Sequence, residues 1–349
     1  MAKLARFSWA QPMTLVRVIG LALLSLAGTV PALGEEPAQP QQCWTPQALA
    51  STAAELKHMH APHPLDLAPL KQMALPAATP VPLASRGSIR SVALPAGLKL
   101  IALTFDLCEE NGYVSGYDGR IVDLLRAQGI KATFFAGGKW METHPERAEQ
   151  LIADPLFEVG SHGLRHLDLS QVSDATLGEE INLTEAAYAR AKAALAARQC
   201  LLGTAQPAPP TGLTLLRFPY GRCNAKSLAA AADAGLLAVQ WDVVTGDPDP
   251  RVSAKTIANT ILTRAHPGAI IVAHANGRGH NTAEALAMAL PKLKEQGYSF
   301  VTVSELIAAG KPVIAQSCYQ NRPGDTTRIA HSSAHKGSHD LLSIFGEPN

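Results

Sequence analysis

Two histidines four residues apart, in Ser161-His162-Gly163-Leu164-Arg165-His166, form the stretch with the clearest chemical potential. With a glycine between them, both imidazoles can turn toward one point if the segment caps a strand or begins a helix. Neutral imidazole suits zinc and other late divalent metals, and a catalytic site takes about three protein ligands and a water. A chain with twelve histidines produces such pairs by chance, so their company matters. Asp106 ends an apolar run upstream, and Arg217-Phe218-Pro219-Tyr220 and His274 follow at similar transitions downstream.

Elements of one kind must hold these residues. Short apolar runs at 100–105, 132–135, 157–160, 215–218, 237–241, 269–273 and 300–303 read as strands. Their near-continuous hydrophobicity is that of strands buried on both faces. Helical stretches alternate with them: 119–128 stopped by Gly129, 145–152, an Ala-rich 175–198 capped by Ser173 or Asp174, 225–234 stopped by Gly235, 253–265, 282–296 and 304–309. Capping residues before and glycine after set these bounds. The alternation predicts an α/β fold with a parallel sheet. Nearly every ionisable candidate stands just past the C-terminal end of a strand. That is where chemistry collects in a closed (β/α) barrel and in an open doubly wound sheet alike.

The 349 residues allow one domain of about 200–250 residues with tails. A net charge of +1 argues against an electrostatic nucleic-acid binder. Lys3, Arg6 and Arg17 precede an apolar run at 18–27, and Ala32-Leu33-Gly34 offers a small-x-small cleavage site. The run is too short to span a bilayer comfortably, so residues 1–34 read as a secretory signal, with no stable membrane insertion after cleavage. Export permits disulfides, and five cysteines leave at least one thiol free. We expect Cys43 with Cys318, Cys200 with Cys223, and Cys108 left over beside Asp106.

Residues 35–97 are rich in Pro and Ala and read as an extension wrapping the domain, with a short helix at 46–58 capped by Thr45 and opened by Pro46. Its His58, His60 and His63 read as a solvated linker, with a metal cluster as the alternative. The tail at 311–349, with His331, His335 and His339, reads as disordered or packed against the extension.

Taken together, five segments resemble the motifs of the NodB-homology polysaccharide deacetylases, in order: Thr104-Phe105-Asp106, His162 with His166, Arg217-Phe218-Pro219-Tyr220, Trp241 through Asp247, and Val272-Ala273-His274. The resemblance covers roughly residues 98–308 and places a deacetylase domain at 98–310. It implies a distorted (β/α) barrel of seven to eight strands and metal-assisted removal of N- or O-acetyl groups from polysaccharides. By position, Asp106 would be the general base, and His162 and His166 would hold a divalent metal, with zinc the expected ion. The backbone N–H of Tyr220 would help stabilise the oxyanion, and His274 would protonate the leaving group. Such a reaction needs a base and a separate acid on opposite sides of the carbon.

Two departures stand out. The family's third ligand is an aspartate directly after the first, and here that position is Leu107. Glu109 is the favoured replacement; Glu110, a Cys108 thiolate, or two histidines with more water remain open. The family's fourth-motif aspartate, which orients the arginine, is replaced by Val244, so Asp242 or Asp247 takes that role and Trp241 lines the acetyl pocket. The Gly-rich 274–282 lacks phosphate-loop spacing and reads as a substrate-facing loop, with Arg278 and His280 on sugar. The expected activity is an exported metal-dependent deacetylase of an N-acetylated cell-wall or exopolysaccharide glycan. The rivals are a non-catalytic glycan-binding pseudo-deacetylase that lost its third ligand, and a barrel hydrolase of small amides.

Overall fold

A computed structural model describes residues 43–198 and 210–319. The signal segment, Cys200, most of the Pro-rich loop before Leu213 and the histidines of the tail lie outside the described residues.

In chain order the elements are α1 (Pro46–Leu49), β1 (Met59–His60), α2 (Ala68–Lys71), β2 (Ser88–Ala93), β3 (Leu100–Leu107), β4 (Tyr113–Val114), α3 (Gly119–Gln128), β5 (Ala132–Ala136), α4 (Gly138–Thr143), α5 (Pro145–Ala153) and β6 (Phe157–Ser161). Then come α6 (Asp174–Ala196), β7 (Leu215–Leu216), α7 (Ala225–Asp233), β8 (Leu237–Val239), β9 (Val243–Val244), α8 (Ala254–Arg264), β10 (Ile270–His274), α9 (Thr282–Glu295), β11 (Ser299–Phe300), α10 (Val303–Ala308) and β12 (Lys311–Ala315).

The sheet runs β12-β2-β8-β7-β6-β5-β3-β10-β9, with β11 paired to the start of β3. Every pairing in it is parallel except the antiparallel edge of β12 on β2. This is the expected distorted (β/α) barrel: a curled parallel sheet whose central strands β3, β5 and β10 are almost wholly buried. Strands sandwiched by helices need apolar side chains on both faces, which is why residues 100–107 carry Leu, Ile, Ala and Phe with so little polar interruption.

Local chemistry sets the helix ends. Asp118 accepts a hydrogen bond from the N–H of Arg120 to open α3, and Gly129, with φ 61°, closes it in the left-handed region. Ser173 and Ser253 cap α6 and α8 in the same way. Thr45 does cap α1, but the helix ends at Leu49 and a separate 3₁₀ turn follows at Ala53–Leu56. Arg147 of α5 explains the break. Its guanidinium donates to the carbonyls of Ala48, Leu49 and Ala50 and pairs with Glu55, taking acceptors that a continuous helix would use internally.

The extension is therefore docked rather than merely draped. Trp44, Leu49 and Leu70 are buried in the main core. At Gly116 a Cβ would sit 2.3 Å from the carbonyl of Glu55, so only glycine admits the extension here. Residues 88–93 and 311–315, read from sequence as extension and tail, both pair into the sheet.

The expected disulfides are corrected. Cys223 bonds to Cys318, and Cys43 is disulfide-bonded too. Cys108 is the free, buried thiol, as expected. The Cys223–Cys318 bridge ties the end of β12 to the loop before α7 across 95 residues. Closing a loop of that length constrains the unfolded chain strongly, so Cys223→Ser with Cys318→Ser is expected to cost about 2–5 kcal/mol in a denaturant titration.

Candidate metal and catalytic site

Register brings the candidates together. Asp106 at the end of β3 lies directly opposite His274 at the end of β10, and on its other side opposite Phe135 of β5. Ser161 ends β6 opposite Ala136, so His162 leaves the sheet at the same level. Asp106, Cys108, His162, His166, Tyr220, Trp241, Asp247 and His274 line one cleft, whose floor encloses about 30 Å³, room for water-sized occupants.

Asp106 is 4% exposed and tightly held. Its Oδ1 accepts from Arg217 Nη1 at 2.9 Å, and its Oδ2 lies 3.5 Å from His162 Nε2. Burial alone would raise its pKa, but the charges of His162, Arg217 and His274 outweigh that and hold the carboxyl below its ordinary value. Arg217 is fully buried. It also donates to the carbonyl of Gln240 and stacks over Phe135 and Trp241, with its guanidinium carbon 4.1 and 5.4 Å from their ring centroids.

The imidazole pair is shaped by its loop. Gly163 and His166 take φ 72° and 57°, the latter uncommon for a side chain with a Cβ. Glu180 of α6, fully buried, holds the loop in that shape. One oxygen accepts from the N–H groups of Leu164 and Arg165, and the other pairs with the Arg165 side chain. The Nδ1–H of His162 donates to the carbonyl of Arg217 at 2.8 Å, because a carbonyl can only accept. Its Nε2 lone pair is thereby left toward Asp106. Burial pushes the His162 pKa down to about 4, so the ring is neutral and free to ligate at physiological pH. Nδ1 of His166 is buried without a hydrogen-bond partner. An orphaned imidazole nitrogen beside a neutral one, with the Cys108 sulfur close by, is a donor set that fits a late divalent cation.

Across the cleft, Asp247 accepts from both the N–H of His274, at 2.7 Å, and its ring Nδ1, at 3.0 Å. The carboxylate fixes the ring's tautomer and leaves Nε2 as the working nitrogen.

A carboxylate clamped by a buried arginine, two imidazoles and a carboxylate-backed histidine thus share one barrel rim. Over 219 residues the chain is 32% identical to a peptidoglycan-N-acetylglucosamine deacetylase of Bacillus cereus, an alignment covering 61% of this chain and 91% of that protein. The chain belongs to the polysaccharide deacetylase family. The family's sequence profile, polysaccharide deacetylase, matches residues 94–239. A peptidoglycan-N-acetylmuramic acid deacetylase of Bacillus subtilis is 28% identical over 60% of this chain and 72% of its own length. Among solved structures, a peptidoglycan N-acetylglucosamine deacetylase bound to 4-naphthalen-1-yl-N-oxidanyl-benzamide is similar with a TM-score of 0.53 and 27% identity, over 66% of this chain and 96% of that one. A mutant of a pseudoenzyme of the same carbohydrate esterase family gives 0.51 and 26%, over 64% and 71%.

Within this deacetylase fold, two expectations need correcting. Glu109 does not reach the imidazoles. Its carboxylate accepts from the N–H of Ser115 and from Thr143, lies 3.3 Å from the buried Lys139, and meets His63 at 2.8 Å. The cause is strand alternation: Asp106 and Cys108 point into the cleft, whereas Leu107 and Glu109 point to the helix side, where Leu107 joins the core. Among the described residues, the group able to hold a metal is Cys108, His162 and His166, whose donor atoms lie within 4.8 Å of one another. Glu110 approaches from the same side, 3.4 Å from His166 Nδ1, and is paired with Arg278.

Second, Asp247 orients His274 and not Arg217, which is held by Asp106 and two backbone carbonyls. Asp242 is engaged with His266 and the N–H of Ile270. Arg278 lines the same cleft and pairs with Glu110, and His280 lines a neighbouring cleft with His58 and Tyr113. His58 and His60 pack against Tyr113, and His63 meets Glu109, so the three histidines do not form a cluster of their own. Tyr220 flanks His166 edge-on at 4.4 Å and takes φ 59°, a strained turn of the kind that collects at functional sites.

The residues missed from sequence were Glu180, Lys139 and Asn276. Glu180 carried a signal: on α6 it shares the buried face of Leu177, Ile181 and Thr184, where a carboxylate needs a specific partner.

Histidines held neutral by burial make stability pH-dependent. His162, His58 and His144 all have pKa values lowered by burial. Between about pH 4 and 6.5 His162 binds more protons unfolded than folded, so its contribution to stability rises with pH across that window. His58 and His144 act in the same direction and His266 against it. Denaturant midpoints of the metal-free protein are expected to fall as pH drops from 6.5 toward 4. In His162→Gln that slope should be shallower.

Proposed function

We propose that this protein is an exported, metal-dependent deacetylase that hydrolyses N-acetyl groups on a cell-wall glycan. One observation carries the reading: a buried Asp106, kept ionised by Arg217, stands between the imidazole pair and the Asp247-backed His274 in a single cleft. The relatives named for peptidoglycan deacetylation give the substrate class. Export is supported by the Cys223–Cys318 disulfide, which needs an oxidising compartment, together with the signal-like residues 1–34. No helix among the described residues is long and apolar enough to cross a membrane.

His162 and His166 would hold the ion, with zinc the best match to imidazole donors. When bound, it polarises the acetyl carbonyl and makes water nucleophilic near neutral pH. Asp106 takes the proton from the attacking water, and Arg217 keeps it a carboxylate until then. The N–H of Tyr220 is the proposed donor to the oxyanion, a contribution of about 3–4 kcal/mol where such donors have been removed. His274, carrying a proton on Nε2, gives it to the departing sugar amine, and Asp247 steadies the resulting change of ring charge. Trp241, Val244 and Val272 supply apolar lining that suits an acetyl methyl group. We expect Asp247→Asn to lower kcat by about 10²–10⁴-fold, the range for losing correctly poised acid–base catalysis, with KM little changed.

A second reading is favoured by Leu107, which stands where the family has a ligand: a glycan-binding pseudo-deacetylase. Acetate release from N-acetylglucosamine oligomers, a small O-acetyl ester and a small amide separates the possibilities. Release from the oligomers supports the proposal. Glycan binding without release supports the pseudo-deacetylase, and activity on the small amide alone points to a different hydrolase.

A further inference from the structure

We infer that the thiolate of Cys108 is the third metal ligand of this site, giving a Cys–His–His centre selective for thiophilic ions. The inference rests on reading the imidazole pair as a metal site and goes beyond it by naming the ligand that replaces the missing aspartate and the class of ion it selects.

Four observations carry it. Strand alternation turns Cys108 to the same side as Asp106, into the cleft that His162 and His166 line. Its sulfur and one nitrogen of each imidazole lie within 4.8 Å of one another, so side-chain adjustments of about 1 Å would bring them to the roughly 3.3–3.6 Å that separates donors on a tetrahedral zinc. His166 Nδ1 is buried and makes no hydrogen bond, its nearest acid being Glu110 Oε1 at 3.4 Å, so it is open to a shorter bond. Finally, the sulfur is held in place. Asn276, fully buried, donates from Nδ2 to the Cys108 carbonyl at 2.8 Å and to its Sγ at 3.2 Å. An amide donor aimed at sulfur is the outer-shell arrangement that fixes a thiolate ligand and tempers its charge.

The competing acid is Glu110. Its Oε1 is already shared between Arg278 and His166 Nδ1, and Glu110 is not among the donors that lie within 4.8 Å of one another. Cys108 gives up only a proton. That proton would pass to water on ligation, and a divalent ion held there would supply the positive charge that a buried thiolate needs.

The consequence is a change in metal preference. Carboxylate-containing sites accept hard ions such as magnesium and manganese, whereas thiolate selects zinc and cobalt.

Cobalt substitution of the full chain tests this without relying on activity. Wild-type protein loaded with cobalt(II) should show an intense near-ultraviolet thiolate-to-cobalt charge-transfer band. Cys108→Ser should lose that band and weaken zinc binding, measured by chelator competition, by more than the roughly 10–100-fold typical of disturbing an outer-shell partner. Glu110→Gln should keep the band. Cobalt bound by the wild type with no charge-transfer band overturns the inference while the metal site survives. So does zinc affinity unchanged in Cys108→Ser. Wild-type protein that takes up neither ion overturns the metal reading itself, and this inference with it. The wild-type spectrum decides the matter even if the serine variant fails to fold.

Discussion

Asp106→Asn is expected to leave a folded protein that still binds metal but deacetylates about 10²–10⁴-fold more slowly. The asparagine keeps the shape and can still accept a hydrogen bond from Arg217, but it cannot take a proton from water. The fold should tolerate the change because Arg217 retains the Gln240 carbonyl and its stacking on Phe135 and Trp241. Some stability is lost with the buried ion pair, about 3–5 kcal/mol at most. Single-turnover acetate release and metal stoichiometry on the same preparation check the two halves. Activity within a few-fold of wild type would remove Asp106 from the base role. Loss of the metal would instead make it a ligand.

Arg217→Met is expected to have the largest effect on the fold. It strands Asp106 at 4% exposure without its hydrogen-bonded counter-charge. Breaking one partner of a buried pair costs about 3–5 kcal/mol, a large part of what a domain has. The carboxyl pKa must then rise, since burial already pushes it up and Arg217 is among the charges that hold it down. A base must be ionised to work, so the acid limb of the pH–rate profile moves to higher pH. Arg217→Lys should not restore wild type: one ammonium cannot satisfy Asp106 and two carbonyls from the place of a planar guanidinium. Thermal unfolding and a pH–rate profile measure both effects. An unmoved acid limb would mean that the arginine is structural only.

Much of the fold could be read from the chain. Helix α3 ends where Asp118 and Gly129 say it should, and β3, β5, β6 and β10 fall on the apolar runs. Those runs are legible because a strand covered on both faces has no room for polar residues. The edge pair β2 and β12 was not legible. Ser88–Ala93 and Lys311–Ala315 mix polar with apolar residues, as half-covered strands do, and nothing local distinguishes them from linker. Helix α4 was hidden because it begins at Gly137-Gly138, a dipeptide that reads as loop.

The site shows the same division. Asp106, His162, His166, Tyr220 and His274 stand out in the sequence and line one cleft, with Arg217 buried behind Asp106. Glu109 has a ligand's charge, but it stands past the end of β3 and turns to Ser115, Thr143 and Lys139 instead of the imidazoles. The partner of Asp247 could not be read, since it depends on which loop folds over β10. Disulfide connectivity is likewise a property of the three-dimensional path, and the Cys223–Cys318 pairing brings together a loop and an edge strand that sequence gave no reason to join.

The most direct test of the account is acetate release from N-acetylglucosamine oligomers by purified full-length protein, measured as isolated, after chelation, and after zinc is returned. The account predicts turnover that disappears with the metal and comes back with it. Zinc-loaded protein that binds the oligomers and releases no acetate would contradict it.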